Sequence, residues 1–235
     1  MLTNGLFLSF RRRTLEDADR RSWSPSRCRE LRVVDRVRVL EAAMTFKNWI
    51  HLCIDMQRMF AEDTPWHVPW MREVSPQVEE VARWHPERTV FTRFVPPKRA
   101  ADMPGMWRDY YEKWNTMTLD RLEPGMIDLV RSLKALVPPA RVFDKMTYSP
   151  WTSGELHRVL GGEGVEAVAI SGGETDVCVL AAAIGAIDLG YEVILLKDAV
   201  CSGADQTHDA SLELLGDRFS VQLKILSTEA FLARA

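Results

Sequence analysis

Several things are missing from this chain. No apolar run reaches the roughly 18 residues that a bilayer-crossing helix needs, so no transmembrane span is expected. Cysteine is scarce. Cys28, Cys53, Cys178 and Cys201 are widely spaced with no CxxC pair, which argues against a zinc site and against a disulfide framework. A reduced, cytoplasmic protein is expected, with no metal and no cofactor. The net charge is only −3, so bulk binding to nucleic acid is not expected. The apolar patch at 6–10 is too short for a secretory signal and precedes the arginines instead of following them. No GxGxxG follows the first strand-like run. Gly161-Gly162-Glu163-Gly164 and Gly172-Gly173 are poor substitutes, which leaves a nucleotide-binding module weakly supported.

What remains is a chain of 235 residues with 46% hydrophobic content, enough for one sizeable core. Residues 1–43 read differently from the rest, with ten Arg against six Asp plus Glu. They are expected to be an Arg-rich, flexible extension as far as about Leu31, with a short helix over 31–43. Met44 reads as the simplest natural start, and one folded domain is expected over 44–235.

From Met44 onward, apolar strands alternate with helical patterns. The strands are expected at 49–54, 89–94, 142–143, 167–171, 192–196 and 221–226. Helices are expected at 75–84, 126–136, 153–160, 176–189 and 205–215, with a last turn from Thr228. Continuous apolar strands separated by helices predict an α/β protein with a parallel sheet covered on both faces. The stretch 96–124 breaks the rhythm with Pro, Trp and Tyr. Trp107, Tyr110, Tyr111 and Trp114 share one helical face by spacing, and the insertion reads as a lid or subunit contact, with ordinary packing as the alternative.

Three strand ends carry reactive side chains: Asp55, Lys145 and Cys178. Open parallel sheets build their sites at the carboxyl ends of strands, so these three can meet in one crevice. Gly172 and Gly173 supply a turn before Cys178, and Thr175 or Asp176 can cap the helix that follows. Cys178 then lies in the first helical turn, where free N–H groups favour a thiolate and can hold an oxyanion. Asp55 can take and return a proton, while Lys145 holds it ionised and lowers the thiol pKa. Phe60, Tyr148 and Trp151 are candidate pocket walls, and Gln57 a candidate substrate-orienting residue.

The segments that carry these residues resemble the isochorismatase-like cysteine hydrolases, in the subgroup labelled only "cysteine hydrolase". They are Asp55-Met56-Gln57 with Phe60, Lys145, and Gly172-Gly173-Glu174-Thr175-Asp176-Val177-Cys178-Val179. Asp188-Leu189-Gly190-Tyr191, Lys197 to Ser202, and Thr207-His208 look similar too. The resemblance implies a three-layer α/β/α fold with a six-stranded parallel sheet, Rossmann-like in type. It implies Asp55, Lys145 and Cys178 as a catalytic triad and a cis peptide at Gly173–Glu174. The amides of Glu174 and Cys178 would form the oxyanion hole, with Thr175 near the substrate. It implies a small-molecule substrate and a homo-oligomer.

Departures narrow the chemistry. The Asp-x-His segment of metal-dependent nicotinamidases is replaced by Phe91-Thr92-Arg93-Phe94-Val95-Pro96, and Asp63 with His67 reads as a solvated loop pair. Keeping Cys178 points to cleavage of a C–N bond in an amide, ureido or carbamoyl group. An isochorismatase-type vinyl-ether hydrolase and a non-catalytic binding protein are the alternatives.

Overall fold

The protein is described by a computed structural model over residues 45–235, which form one unit by their internal contacts. The expectations for the arm, for the short helix over 31–43 and for Cys28 lie outside these residues.

Six strands form one sheet: β1 (Trp49–Ile54), β2 (Thr89–Phe94), β3 (Arg141–Lys145), β4 (Ala167–Gly173), β5 (Glu192–Cys201) and β6 (Leu223–Leu226). The order across the sheet is β3-β2-β1-β4-β5-β6, and every pairing is parallel. The chain moves outward from β1 in one direction and then returns to add β4 on β1's other side. The crevice of such a sheet opens between β1 and β4, outside their carboxyl ends.

The central strands are apolar because both faces are covered. All six residues of β1 and all seven of β4 are buried. One face packs on α2 (Met71–Trp84), through Val74, Val78 and Val81, and on the C-terminal helix α8 (Thr228–Leu232), through Phe231. The other face packs on α5 (Glu155–Gly162), α6 (Leu180–Asp188) and α7 (Asp205–Arg218), through Leu160, Ala183 and Leu215. This is the three-layer α/β/α arrangement. Burying each of these valine, leucine and phenylalanine side chains contributes roughly 1.5–3 kcal/mol, which is why the two helical layers hold the sheet.

Some element bounds differ from expectation, and each difference has a cause. β3 is five residues long, Arg141 to Lys145, because it is an edge strand whose side chains alternate between solvent and protein. β5 runs on to Cys201 because an irregularity in its pairing with β4 re-registers Gly172 on Val200 and Gly173 on Cys201. β6 starts at Leu223, since Val221 projects into solvent. α2 begins at Met71, ahead of Pro76, and the Ser75 hydroxyl donates to the Met71 carbonyl at 2.7 Å.

The helix expected at 126–136 shrinks to α4 (Arg131–Lys134). Upstream, the backbone is engaged elsewhere: the Met126 and Asp128 carbonyls accept from Met59 and Arg58, and the Val130 amide donates to Met56. Residues 58–61 form a short α1 (Arg58–Ala61) held by these bonds. Gly161-Gly162 closes α5, and Gly164 (φ 68°) makes the turn into β4, so this glycine cluster ends a helix and forms no phosphate loop.

The aromatic insertion forms α3 (Met106–Lys113) with short 3-10 turns on either side. Tyr111 is fully buried, and Trp107 lies 5.0 Å from Tyr148 between ring centroids. The stretch packs onto the domain and forms one wall of the cavity described next.

Candidate active site

β1 delivers Asp55 at its carboxyl end in a left-handed backbone conformation (φ 50°), which aspartate tolerates better than most residues. Gly172 of β4 passes so close to Ile54 that any side chain there would strike the β1 backbone, and its φ of 101° also favours glycine. These features let the two central strands release their chains into the crevice side by side.

Lys145 ends β3, two strands from β1, and reaches across the end of β2 to the same place. Its ammonium lies 5.0 Å from the ring centre of Phe94, the last residue of β2. All three of its N–H bonds find acceptors: Asp55 Oδ2 at 2.6 Å, the Thr147 carbonyl at 3.2 Å and Cys178 Sγ at 3.6 Å. The other carboxylate oxygen of Asp55 accepts from the Thr92 hydroxyl at 2.6 Å, and Thr92 in turn accepts from the Asp55 amide. Asp55, Lys145 and Cys178 are therefore one contiguous, buried group. Thr92 carried no expected role. The only sign of it in sequence is that it lies two residues before the end of a strand adjacent to β1.

Cys178 sits in a widened, π-helical turn (Thr175–Val179) that leads into α6, and the peptide between Gly173 and Glu174 is cis. Such wide turns concentrate at functional sites. The expected caps are absent. Thr175 is buried with its hydroxyl 2.9 Å from His208 Nδ1. Asp176 accepts from the hydroxyls of Ser202, at 2.5 Å, and Thr207. These contacts tie the turn to the loop after β5, through Ser202, and to the first turn of α7, through Thr207 and His208. Burial works against the expected thiolate. Burial pushes the Cys178 thiol well above its ordinary value, Asp55 adds to this, and Lys145 opposes it without winning. Burial therefore favours the neutral thiol. Burial alone would lower the Lys145 pKa, yet the Asp55 carboxylate and Cys178 raise it, so the ammonium stays charged.

A cavity of about 340 Å³ opens above Cys178. Its lining includes Phe60, Trp66, Phe94, Tyr110, Trp114, Tyr148, Glu174 and Cys178. Of the expected pocket residues, Phe60 and Tyr148 face this space. Gln57 does not. It is fully buried and bound to the Phe94 amide and to the Phe94 and Ile127 carbonyls, so it ties β2 to the loop after β1. Trp151 also lies elsewhere, donating to the Ala182 carbonyl and stacked on Tyr191. Thr175 is behind the turn. Asp63 and His67 are exposed, and among the described residues no group of three or more His, Cys, Asp or Glu could hold a metal ion.

Residues 50–226 match the family model described as the Isochorismatase domain. The chain belongs to the isochorismatase family. Members of that family are hydrolases, and so is this protein. No curated relative matches the chain. Among solved structures, a cysteine hydrolase from Pseudomonas syringae pv. phaseolicola aligns at 20% identity with a TM-score of 0.68, covering 80% of this chain and 92% of that one. The N-carbamoylsarcosine amidase of Thermoplasma acidophilum aligns at 16% identity and TM-score 0.62, over 77% and 97% of the two chains. The pyrazinamidase of Pyrococcus horikoshii, in complex with zinc, aligns at 27% identity and TM-score 0.59, over 77% and 99%. No helix among the described residues of this isochorismatase-family chain is long and apolar enough to cross a membrane.

Proposed function

We propose that this hydrolase cleaves a C–N bond of a small amide, ureido or carbamoyl compound through a thioester on Cys178. The observation that carries the reading is the buried contact set of Asp55, Lys145 and Cys178 at the floor of the cavity, with Lys145 Nζ 2.6 Å from the carboxylate and 3.6 Å from the sulfur. Because burial favours the thiol, its proton moves to Asp55 as sulfur bonds to the carbonyl carbon. The carbonyl oxygen takes the negative charge beside the amides of Glu174 and Cys178. The Glu174 amide donates to no other partner among the described residues, which leaves it free for this oxygen. Asp55 then passes the proton to the nitrogen, the C–N bond breaks and the amine leaves. Water gives a proton to Asp55 and attacks the thioester carbon. The C–S bond breaks, sulfur recovers the proton from Asp55, and the acid is released. Lys145 stays paired with the Asp55 carboxylate at 2.6 Å and holds it in place between these transfers.

The test is acyl capture. Acid-quenched mixtures with a hydrolysed amide should show an acyl adduct on Cys178 by intact mass and peptide mapping, and hydroxylamine should divert the product to the hydroxamate. Cys178→Ala should lose ammonia or amine release by at least about a thousandfold. Undiminished release by that variant would rule the thioester out.

A further inference from the structure

The cavity above Cys178 carries a charge pattern that hydrolysis itself does not require. Aromatic rings from Phe60, Trp66, Phe94, Tyr110, Trp114 and Tyr148 line it, yet no lysine or arginine does among the described residues. Its one imidazole, His67, is exposed. Lys145 beneath the floor is matched by Asp55 and has no N–H bond left to offer. The lining does contain a carboxylate, Glu174. That side chain accepts one hydrogen bond, from the Gly203 amide at 3.2 Å, and makes no other among the described residues. Burial raises its pKa, and the nearby carboxylates of Asp176 and Asp55 raise it further. Tyr110 and Tyr148 are likewise raised by burial and stay neutral. The lining thus offers one acid, several π faces and no fixed cation.

Building on the amide-hydrolase reading, we propose that the cavity selects a carboxamide whose flat body carries a positive charge, rejects one that carries a carboxylate, and uses Glu174 as the charge-selecting residue. The negative faces of aromatic rings attract cations, tryptophan most strongly. A guest cation favours the ionised form of Glu174 over the neutral acid that burial favours, and supplies the counter-charge it lacks. A guest carboxylate would meet Glu174 across a poorly hydrated space with nothing to balance it, which is how a site discriminates by repulsion. An N-carbamoyl amino acid, with its free carboxylate, is the wrong kind of substrate for such walls.

Three carboxamides of similar size separate charge from shape: the ring-N-methylated nicotinamide cation, neutral nicotinamide and the anion meta-carbamoylbenzoate. Their binding is measured by titration calorimetry on Cys178→Ala, which does not depend on covalent chemistry, and kcat/KM is measured on the unsubstituted enzyme. The cation should bind about tenfold tighter than the neutral amide, and the anion about tenfold weaker or worse. Glu174→Gln keeps an oxygen for the Gly203 amide and should shrink the cation-to-neutral ratio to within about threefold. The proposal is overturned if the anion binds as well as the neutral amide, or if the cation gains nothing. It is equally overturned if Glu174→Gln leaves the ratio unchanged, or if no probe binds at about 10 mM, a concentration that captures even feeble ligands. Should the charge order appear without any turnover, the thioester reading fails and the charge selection stands.

Discussion

Asp144 and Lys145 follow one another on β3 and both form ion pairs, but alternation along the strand sends them to different surroundings. Asp144 meets Arg93 of the neighbouring strand in a two-bond fork, both distances 2.7 Å, and half of its side-chain surface remains exposed. Lys145 meets Asp55 at 2.6 Å with 3% and 1% of the two side chains exposed. The outer pair is screened by water and replaceable by it. The inner pair has no such substitute, so each partner depends on the other, and a third group, the Cys178 thiol, is drawn into the arrangement. Similar bond lengths therefore say little about the worth of a contact until burial is known.

Removing one partner from each pair sharpens the contrast. Lys145→Ala leaves the Asp55 carboxylate buried without its cation and should cost about 3–5 kcal/mol in denaturant unfolding. It should also abolish turnover, and Lys145→Met, which restores bulk but not charge, should recover part of the stability and none of the activity. Equal stability losses from Lys145→Ala and Asp144→Ala would break the comparison.

A third buried polar group gives an intermediate case. His51 is fully buried in β1 between the Ser171 hydroxyl, at 2.7 Å, and the Thr89 hydroxyl, at 3.2 Å. Burial lowers its pKa from 6.5 to about 3. The native ring thus refuses a proton that the unfolded chain accepts. Its contribution is complete above the unfolded value and is lost as pH falls from 6.5 towards 3. By about pH 4.5 the loss should reach roughly 2–3 kcal/mol, and His51→Gln should flatten that part of the stability curve. A curve as steep in the variant would sink this assignment. The smallest effect belongs to the outer pair. Asp144→Ala should cost no more than about 1 kcal/mol, less in high salt, with activity close to normal.

Legibility in the sequence followed burial in much the same way. The bounds of β1 and β2 were readable because near-complete burial leaves runs dominated by apolar and β-branched residues, with His51 and Arg93 as the breaks. β3 was only half readable, since its exposed positions carry Val142 and Asp144 and blur the pattern. The meeting of Asp55, Lys145 and Cys178 was foreseeable from their places at strand ends, although nothing local says that Lys145 must span the width of β2 to arrive. Thr92, the Gln57 clamp and the position of Trp151 depend on which strand lies beside which, and periodicity does not encode that. The pull of burial against a thiolate was hidden for a related reason: proximity to a helix start is visible in the sequence, whereas the depth at which the sulfur is buried depends on the surrounding fold.

Phe94 occupies a peculiar position in this scheme. Its main chain is clamped by Gln57, its ring sits under the Lys145 ammonium, and the same ring forms part of the cavity wall, stacked on Tyr148. A guest that leans on the wall leans on the ammonium's support as well. Filling the chamber and holding the buried ammonium are thus joined through one side chain, and a ligand too bulky for the wall would disturb the floor beneath it.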